Sequence, residues 1–315
     1  MLDPQAQALL DLMKKRGVTP THELWPVEAR QVYRDRRFYT QPEPPAVASI
    51  RDLFIPGPAG DIPLRVYRPV GSNETQTLGG LVYYHGGGWV IGDLDTHDTL
   101  CRELANAAGC GVVAVDYRLG PEHRFPAAVH DVEAATRWVF ANAGDLKLDP
   151  RRIAVGGDSA GGNLAAVVCL LLRDAPDSEA VRPAFQLLIY PSTDMRARSP
   201  SHTENGQGYL LTSDTINYFQ DHYADVSQRT QWQASPLLAP SHANLPPALV
   251  LTAGFDPLRD EGLAYANALS GAGVPCQYVC FGRQIHGFVP MGRVMDESRT
   301  AVNLCADALR RALTT

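Results

Sequence analysis

Apolar residues recur along this chain as short unbroken runs separated by amphipathic stretches. The runs fall at Gly80–Tyr84, Gly111–Val115, Ile153–Val155, Phe185–Tyr190, Ala248–Thr252 and Cys276–Phe281. Between most of them lie helical patterns, at Thr96–Ala108, Pro126–Ala141, Ala160–Asp174 and Pro257–Gly271, with Asp296–Leu313 last. Continuous apolar strands alternating with helices predict an α/β fold whose mainly parallel sheet is covered on both faces. Two further strand-like runs, Ile50–Ile55 and Ile62–Tyr67, precede this series and are joined across Pro56-Gly-Pro-Ala-Gly. Before them, Ala6–Met13 has helical spacing, and Pro42, Pro44 and Pro45 break the pattern.

One segment departs from the rhythm. Residues 192–233 are polar and rich in Ser, Thr and Asp, with one short helical stretch after Thr212. An insertion of that length between two strands predicts a lid or binding element.

Composition narrows the function. The chain has 315 residues, 45% hydrophobic and 20% charged, with a formal charge of −6. Its densest basic cluster, Lys14-Lys15-Arg16, is too small for a nucleic-acid footprint and reads as a solvated helix face. The longest apolar stretch, Leu164–Leu172, is half of the ~20 residues a bilayer requires, so no membrane partner is expected. The N-terminus lacks the basic and apolar regions of a signal peptide, from which a cytoplasmic protein is expected. The six cysteines then read as free, mostly buried thiols. Cys276 and Cys280 cannot bond while extended, because four strand residues span ~13 Å and a disulfide tolerates at most ~7 Å.

Candidate chemistry gathers at the carboxyl ends of the predicted strands. Gly157-Asp158-Ser159-Ala160-Gly161 sits between a buried strand and a helix of small residues. A bare Gly-x-Ser-x-Gly arises by chance in roughly one chain of this size in ten. Strand, tight turn and helix together make it a nucleophile elbow, with Ser159 the attacking residue. Gly157 and Gly161 answer the need for close approach around that turn.

A second motif, His85-Gly86-Gly87-Gly88-Trp89, follows the strand Leu81–Tyr84. Consecutive glycines expose backbone N–H groups to a ligand, so Gly87, Gly88 and Ala160 are the expected oxyanion donors. A phosphate cradle fits worse: no Gly-Lys-Ser/Thr follows, and Ile91 occupies the third glycine position of a Gly-x-Gly-x-x-Gly pattern.

An acid and a histidine should follow in that order, and Asp256 and His286 each lie just past a strand. Asp260, the rival acid, falls inside the helix opened by Pro257. His85 is expected to hold the glycine loop through backbone hydrogen bonds. His97, His123, His130 and His202 read as surface or packing residues. No metal-ligand spacing occurs, and neither metal nor organic cofactor is expected. Trp89, Tyr190, Tyr209 and Leu210 are candidates for a pocket wall or cap.

Taken together, these motifs resemble the hormone-sensitive-lipase-like esterases of bacteria, within the α/β-hydrolases. The resemblance runs from about residue 50 and rests on His85–Trp89, Asp116–Ala128, Gly156–Asn163, Ser235–Pro240, Asp256–Gly262 and Ile285–Phe288. It implies an eight-stranded, mostly parallel sheet and a helical cap built from residues 1–48 and 192–233, with 49–191 and 234–315 forming the catalytic core. It implies a small-molecule ester substrate with a short- to medium-chain acyl group, and places Asp158 and Glu122 as supports of the site. Gly120 stands where such proteins usually carry Ala, in a packing position.

Two other readings remain beside it. One is a non-catalytic receptor on the same fold, as in plant gibberellin receptors, which lack the triad histidine that His286 would supply here. The other is a hydrolase of amides, carbamates or lactones, which the same residues can open. The last strand, Cys276–Phe281, would be a sheet edge through which a homodimer could form.

Overall fold

A computed structural model describes residues 1–176 and 181–314. Eight strands form one sheet: β1 (Ser49–Gly57), β2 (Gly60–Arg68), β3 (Leu78–Tyr84), β4 (Gly111–Val115), β5 (Leu148–Asp158), β6 (Phe185–Ile189), β7 (Ala248–Phe255) and β8 (Cys276–Ile285). Their spatial order is β1-β2-β4-β3-β5-β6-β7-β8. The pairs β1–β2 and β2–β4 are antiparallel, and all later pairs are parallel. The expected edge position of the last strand is thus observed.

The helices are α1 (Pro4–Lys15), α2 (Pro26–Thr40), α3 (Asp98–Ala108), α4 (Ala127–Ala141), α5 (Ala160–Asp174), α6 (Pro200–Glu204), α7 (Ser213–Tyr223), α8 (Arg259–Gly271) and α9 (Glu297–Thr314). Successive strand residues point to opposite faces, which sorts the core into two layers. Val82, Val113, Val155, Leu188 and Val250 pack with α4, α5 and α8. Their neighbours Leu81, Val112, Ala154, Leu187 and Leu249 pack with α3 and α9. Both faces are apolar because both are covered, which is why the strands read as unbroken runs.

Two strands outrun their apolar signal. β7 continues to Phe255 and β8 to Ile285 because Gly254 and Gly282 let the chains approach: a Cβ on Gly254 would lie 2.2 Å from the Gly282 carbonyl oxygen. That close pass carries both strands up to the residues that follow them, Asp256 and His286.

The N-terminal segment divides. α1 stays with the main body, where Ala6 is buried in the α3–α9 layer and the Asp3 amide donates to the Arg283 carbonyl at 2.9 Å. Residues 21–40 instead lie against the segment after β6. His22 Nδ1 is 3.2 Å from the Thr215 hydroxyl on α7. Arg30 of α2 donates to the carbonyls of Val90 and Gly120, at 2.8 and 2.7 Å, and pairs with Glu122 at 2.6 Å. Of the cysteines, all six are free, and only Cys280 is exposed while Cys276 is half-buried. No described helix is long and apolar enough to cross a membrane.

Gly120 has a physical reason in this packing. A Cβ there would sit 2.6 Å from the His222 carbonyl oxygen at the end of α7. Gly120→Ala is expected to force that backbone apart and cost about 1–3 kcal/mol. A thermal melt should show a midpoint several degrees lower; an unchanged midpoint would mean that the α7 terminus yields freely.

Candidate active site

The elbow is built by close packing. β5 runs directly into Ser159, and α5 begins at Ala160. Cβ atoms on Gly157 and Gly161 would meet the Tyr84 carbonyl oxygen at 2.3 and 1.9 Å, so neither position admits a side chain. Squeezed between them, Ser159 takes φ 55° and ψ −115°, a conformation that costs an L-residue energy. The surroundings hold it there: its amide donates to the Ile189 carbonyl at 2.8 Å, and its carbonyl accepts from Asn163 and Ser192 at 3.0 and 3.3 Å.

Asp256 and His286 meet Ser159 at the same sheet edge. Asp256 Oδ2 is 2.7 Å from His286 Nδ1, and His286 Nε2 is 2.9 Å from Ser159 Oγ. Asp256 is fully buried, and its second oxygen accepts the Leu258 amide at 2.8 Å. A buried carboxylate against Nδ1 requires that nitrogen to carry the proton, which leaves Nε2 as an acceptor facing the serine. Asp260 does not join them: it accepts from the Ser201 amide at 2.9 Å and pairs with Arg259.

The glycine loop borders the same space. Gly87 and Gly88 have φ of 123° and 59°, and among the described residues their amides donate to no backbone or side-chain acceptor. Ala160 opens α5, so its amide is one of the unpaired donors at a helix N-terminus. A Cβ on Gly88 would land 2.2 Å from the Phe219 ring of α7.

Behind the loop lies a buried polar cluster. Asp158 accepts the Gly86 amide at 2.9 Å and the Tyr83 hydroxyl at 2.7 Å, and His97 Nε2 lies 3.2 Å away. Burial alone would raise the Asp158 pKa, but His97 and the Tyr83 hydroxyl outweigh it and hold the carboxyl below its ordinary value. His85 stacks on Tyr117 with ring centroids 4.3 Å apart, and its Nδ1 bonds the Gly86 carbonyl at 2.8 Å.

Burial, reinforced by His97, pushes the His85 pKa down to about 4, so the ring is neutral at pH 7. An imidazole with a depressed folded pKa gives stability that is complete above its unfolded value, about 6.5, and lost as pH falls toward 4. The melting midpoint should therefore fall across that window, and a flat profile from pH 7 to 4 would contradict a buried neutral ring.

Ser159, His286, Gly87, Gly88 and Ala160 line a cavity of about 110 Å³. Much of its remaining wall comes from two distant stretches, one contributing Thr21, Tyr33 and Arg36 and the other Leu210, Leu211, Thr215, Ile216, Phe219 and Gln220. Trp89 and Leu210 are in this wall. Tyr190 is not: it is fully buried beneath the site, with its ring 4.7 Å from that of His286. Nor does Tyr209 line it, because its ring turns away to pack on Phe255 at 5.2 Å.

Glu122 is half-exposed, holds Arg30 and is not among the residues lining the cavity. Among the described residues no three His, Cys, Asp or Glu side chains converge as a metal site would need.

Several contributors carry no isolated sequence signal. His97 reads as a packing residue, yet it meets Asp158 beneath the loop. Asn205 donates to the carbonyls of Gly254 and Asp256 at 3.3 and 3.2 Å. Glu261 is buried, pairs with His202 at 2.7 Å and accepts the Thr193 amide at 2.6 Å. Burial raises its pKa, against the pull of His202. The run Asp256–Gly262 was the one available hint, since such a dense acidic motif after a strand has more to satisfy than one triad acid.

Residues 81–290 match the α/β-hydrolase-fold family. The chain is 44% identical to the carboxylic ester hydrolase LipN of Mycobacterium tuberculosis, over 99% of this chain and 83% of that one. It is 39% identical to an ethyl acetate hydrolase of Pseudomonas putida, over 99% of both. An ester-hydrolase from the metagenome of Lake Arreo, solved with a bipyridine phosphonate derivative, superposes with a TM-score of 0.95 at 43% identity over the whole of both chains. The chain belongs to the α/β-hydrolase-fold family, among its hormone-sensitive-lipase-like carboxylesterases.

Proposed function

We propose that the protein hydrolyses short- to medium-chain acyl esters through a covalent acyl-enzyme on Ser159. The observation that carries this reading is the unbroken chain of hydrogen bonds from buried Asp256 through His286 to Ser159 Oγ, opening beside three unpaired amides. His286 Nε2 takes the hydroxyl proton as Oγ bonds to the ester carbonyl carbon. Asp256 keeps the ring in the required tautomer and stabilises the imidazolium.

Negative charge grows on the carbonyl oxygen, where the amides of Gly87, Gly88 and Ala160 receive it, each worth about 3–4 kcal/mol. The alcohol leaves with the proton from His286. Water then adds to the acyl-enzyme by the same route and releases the acid and Ser159. Asp158 serves by holding the glycine loop through the Gly86 amide, and His85 by bracing the same loop.

Residues 21–40 and 200–223 act as the cap over this site. The similarity to an ethyl acetate hydrolase supports the short end of that acyl range. A p-nitrophenyl ester series from acetate to palmitate should peak at or below about six carbons, and a maximum at ten or longer would overturn the chain-length assignment. A p-nitrophenyl phosphonate should stop turnover and leave one adduct on the peptide containing Ser159 by mass spectrometry; an adduct elsewhere would reject the nucleophile. Two copies paired along the free edge of β8 would form the expected homodimer, which light scattering measures directly.

A further inference from the structure

Helix α2 carries four arginines, and three of them are neutralised. Arg30 pairs with Glu122 at 2.6 Å, Arg34 with Asp93, and Arg37 with Asp95 at 4.0 Å. Arg36 differs. It is half-buried and lines the same cavity as Ser159 and His286, and among the described residues no carboxylate lies within ion-pairing distance of it. Its guanidinium stacks over the Tyr33 ring, 4.8 Å from the centroid. Tyr33 cannot cancel the charge, because burial keeps its pKa up, at about 12, even though Arg36 pulls the other way.

The only acid in the cavity wall, among the described residues, is Asp158. That carboxylate is already committed to the Gly86 amide, Tyr83 and His97. The substrate cavity therefore contains one cation that engages only the neutral Tyr33 side chain and, among the described residues, has no carboxylate to pair with.

A guanidinium is shaped to take a carboxylate through two parallel hydrogen bonds. Partial burial strengthens such a pair relative to one on the surface, and what remains exposed of it is still screened by salt. We propose that Arg36 is a specificity residue that selects esters bearing a second, free carboxylate, such as monoesters of short dicarboxylic acids. This rests on the ester-hydrolase reading above and names the substrate class of that site. It also accounts for a cationic wall inside a protein whose net charge of −6 would otherwise repel such substrates.

The test compares matched esters by pH-stat: monoethyl succinate against ethyl valerate for a carboxylate on the acyl side, and acetoxyacetate against propyl acetate for one on the alcohol side. In the wild type, at least one anionic ester should match or exceed its neutral partner in kcat/KM, and 0.5 M NaCl should shrink that advantage. Arg36→Gln should lower kcat/KM for the favoured anionic ester about tenfold, mostly through KM, while its neutral partner stays within about twofold. Arg36→Lys, which keeps the charge without the planar fork, should fall between the two.

Equal losses on both members of each pair, or no loss on either, would overturn the proposal and leave Arg36 a packing residue. Failure of the wild type to hydrolyse any of the four esters would instead reject the ester-hydrolase reading itself. The neutral-ester rate in each variant reports that the fold is intact.

Discussion

Ser159→Ala is expected to reduce kcat on p-nitrophenyl butyrate by about 10⁶-fold, to the level set by binding and the backbone donors alone. The substitution deletes one oxygen and nothing that supports the fold. The hydrogen bonds holding position 159 are backbone bonds to Ile189, Asn163 and Ser192, and alanine keeps all of them. Its φ of 55° is no harder for alanine than for serine. The melting midpoint should therefore stay where it is while activity vanishes. Retained turnover in a well-folded variant would dispose of the acyl-enzyme mechanism, and a large fall in stability would show that Oγ has a structural duty.

Asp256→Asn should cost about 10⁴-fold in kcat, and the reason is specific to this site. One carboxylate oxygen accepts the Leu258 amide at 2.8 Å and the other faces His286 Nδ1 at 2.7 Å. An asparagine must keep its carbonyl oxygen toward Leu258, since an NH₂ there would meet another donor. Its NH₂ is thereby aimed at His286 Nδ1, which becomes an acceptor and transfers the ring proton to Nε2. A histidine protonated at Nε2 cannot accept the serine proton.

Asp260→Asn provides the contrast. Asp260 binds the Ser201 amide and Arg259 outside the hydrogen-bond chain, so activity should drop by less than about threefold. Comparable losses in the two variants would reopen the choice of acid. Both measurements are steady-state assays on the same neutral ester.

The sheet and the reacting residues were legible in the sequence for the same reason. Strands covered on both faces must be apolar throughout, and an elbow that touches a neighbouring strand must be flanked by glycine. Each requirement leaves a local mark, so β4 and α5 coincide with their expected spans and Ser159, Asp256 and His286 meet as ordered. Strand ends were less visible: the apolar runs stop at Thr252 and Phe281, yet the contact between Gly254 and Gly282 prolongs β7 and β8.

The cavity wall was hardest to foresee. Whether an aromatic ring faces a cavity depends on helix rotation and on partners far away in the chain, which is how Tyr190 came to lie beneath His286 and Tyr209 against Phe255. Arg36 was equally hidden among four arginines on one helix, distinguished only by having, among the described residues, no carboxylate opposite.

Outside the reacting residues and the glycine loop, the cavity wall draws mainly on Thr21–Arg36 and Leu210–Gln220, stretches far apart in the chain. Selectivity is therefore inherited as a pair. A recombinant that takes one stretch from a relative and leaves the other behind joins two half-walls shaped against different counterparts. Libraries that vary a single stretch explore only changes its partner tolerates. Breeding a new preference into this scaffold means letting residues near 33 and near 216 change in the same round.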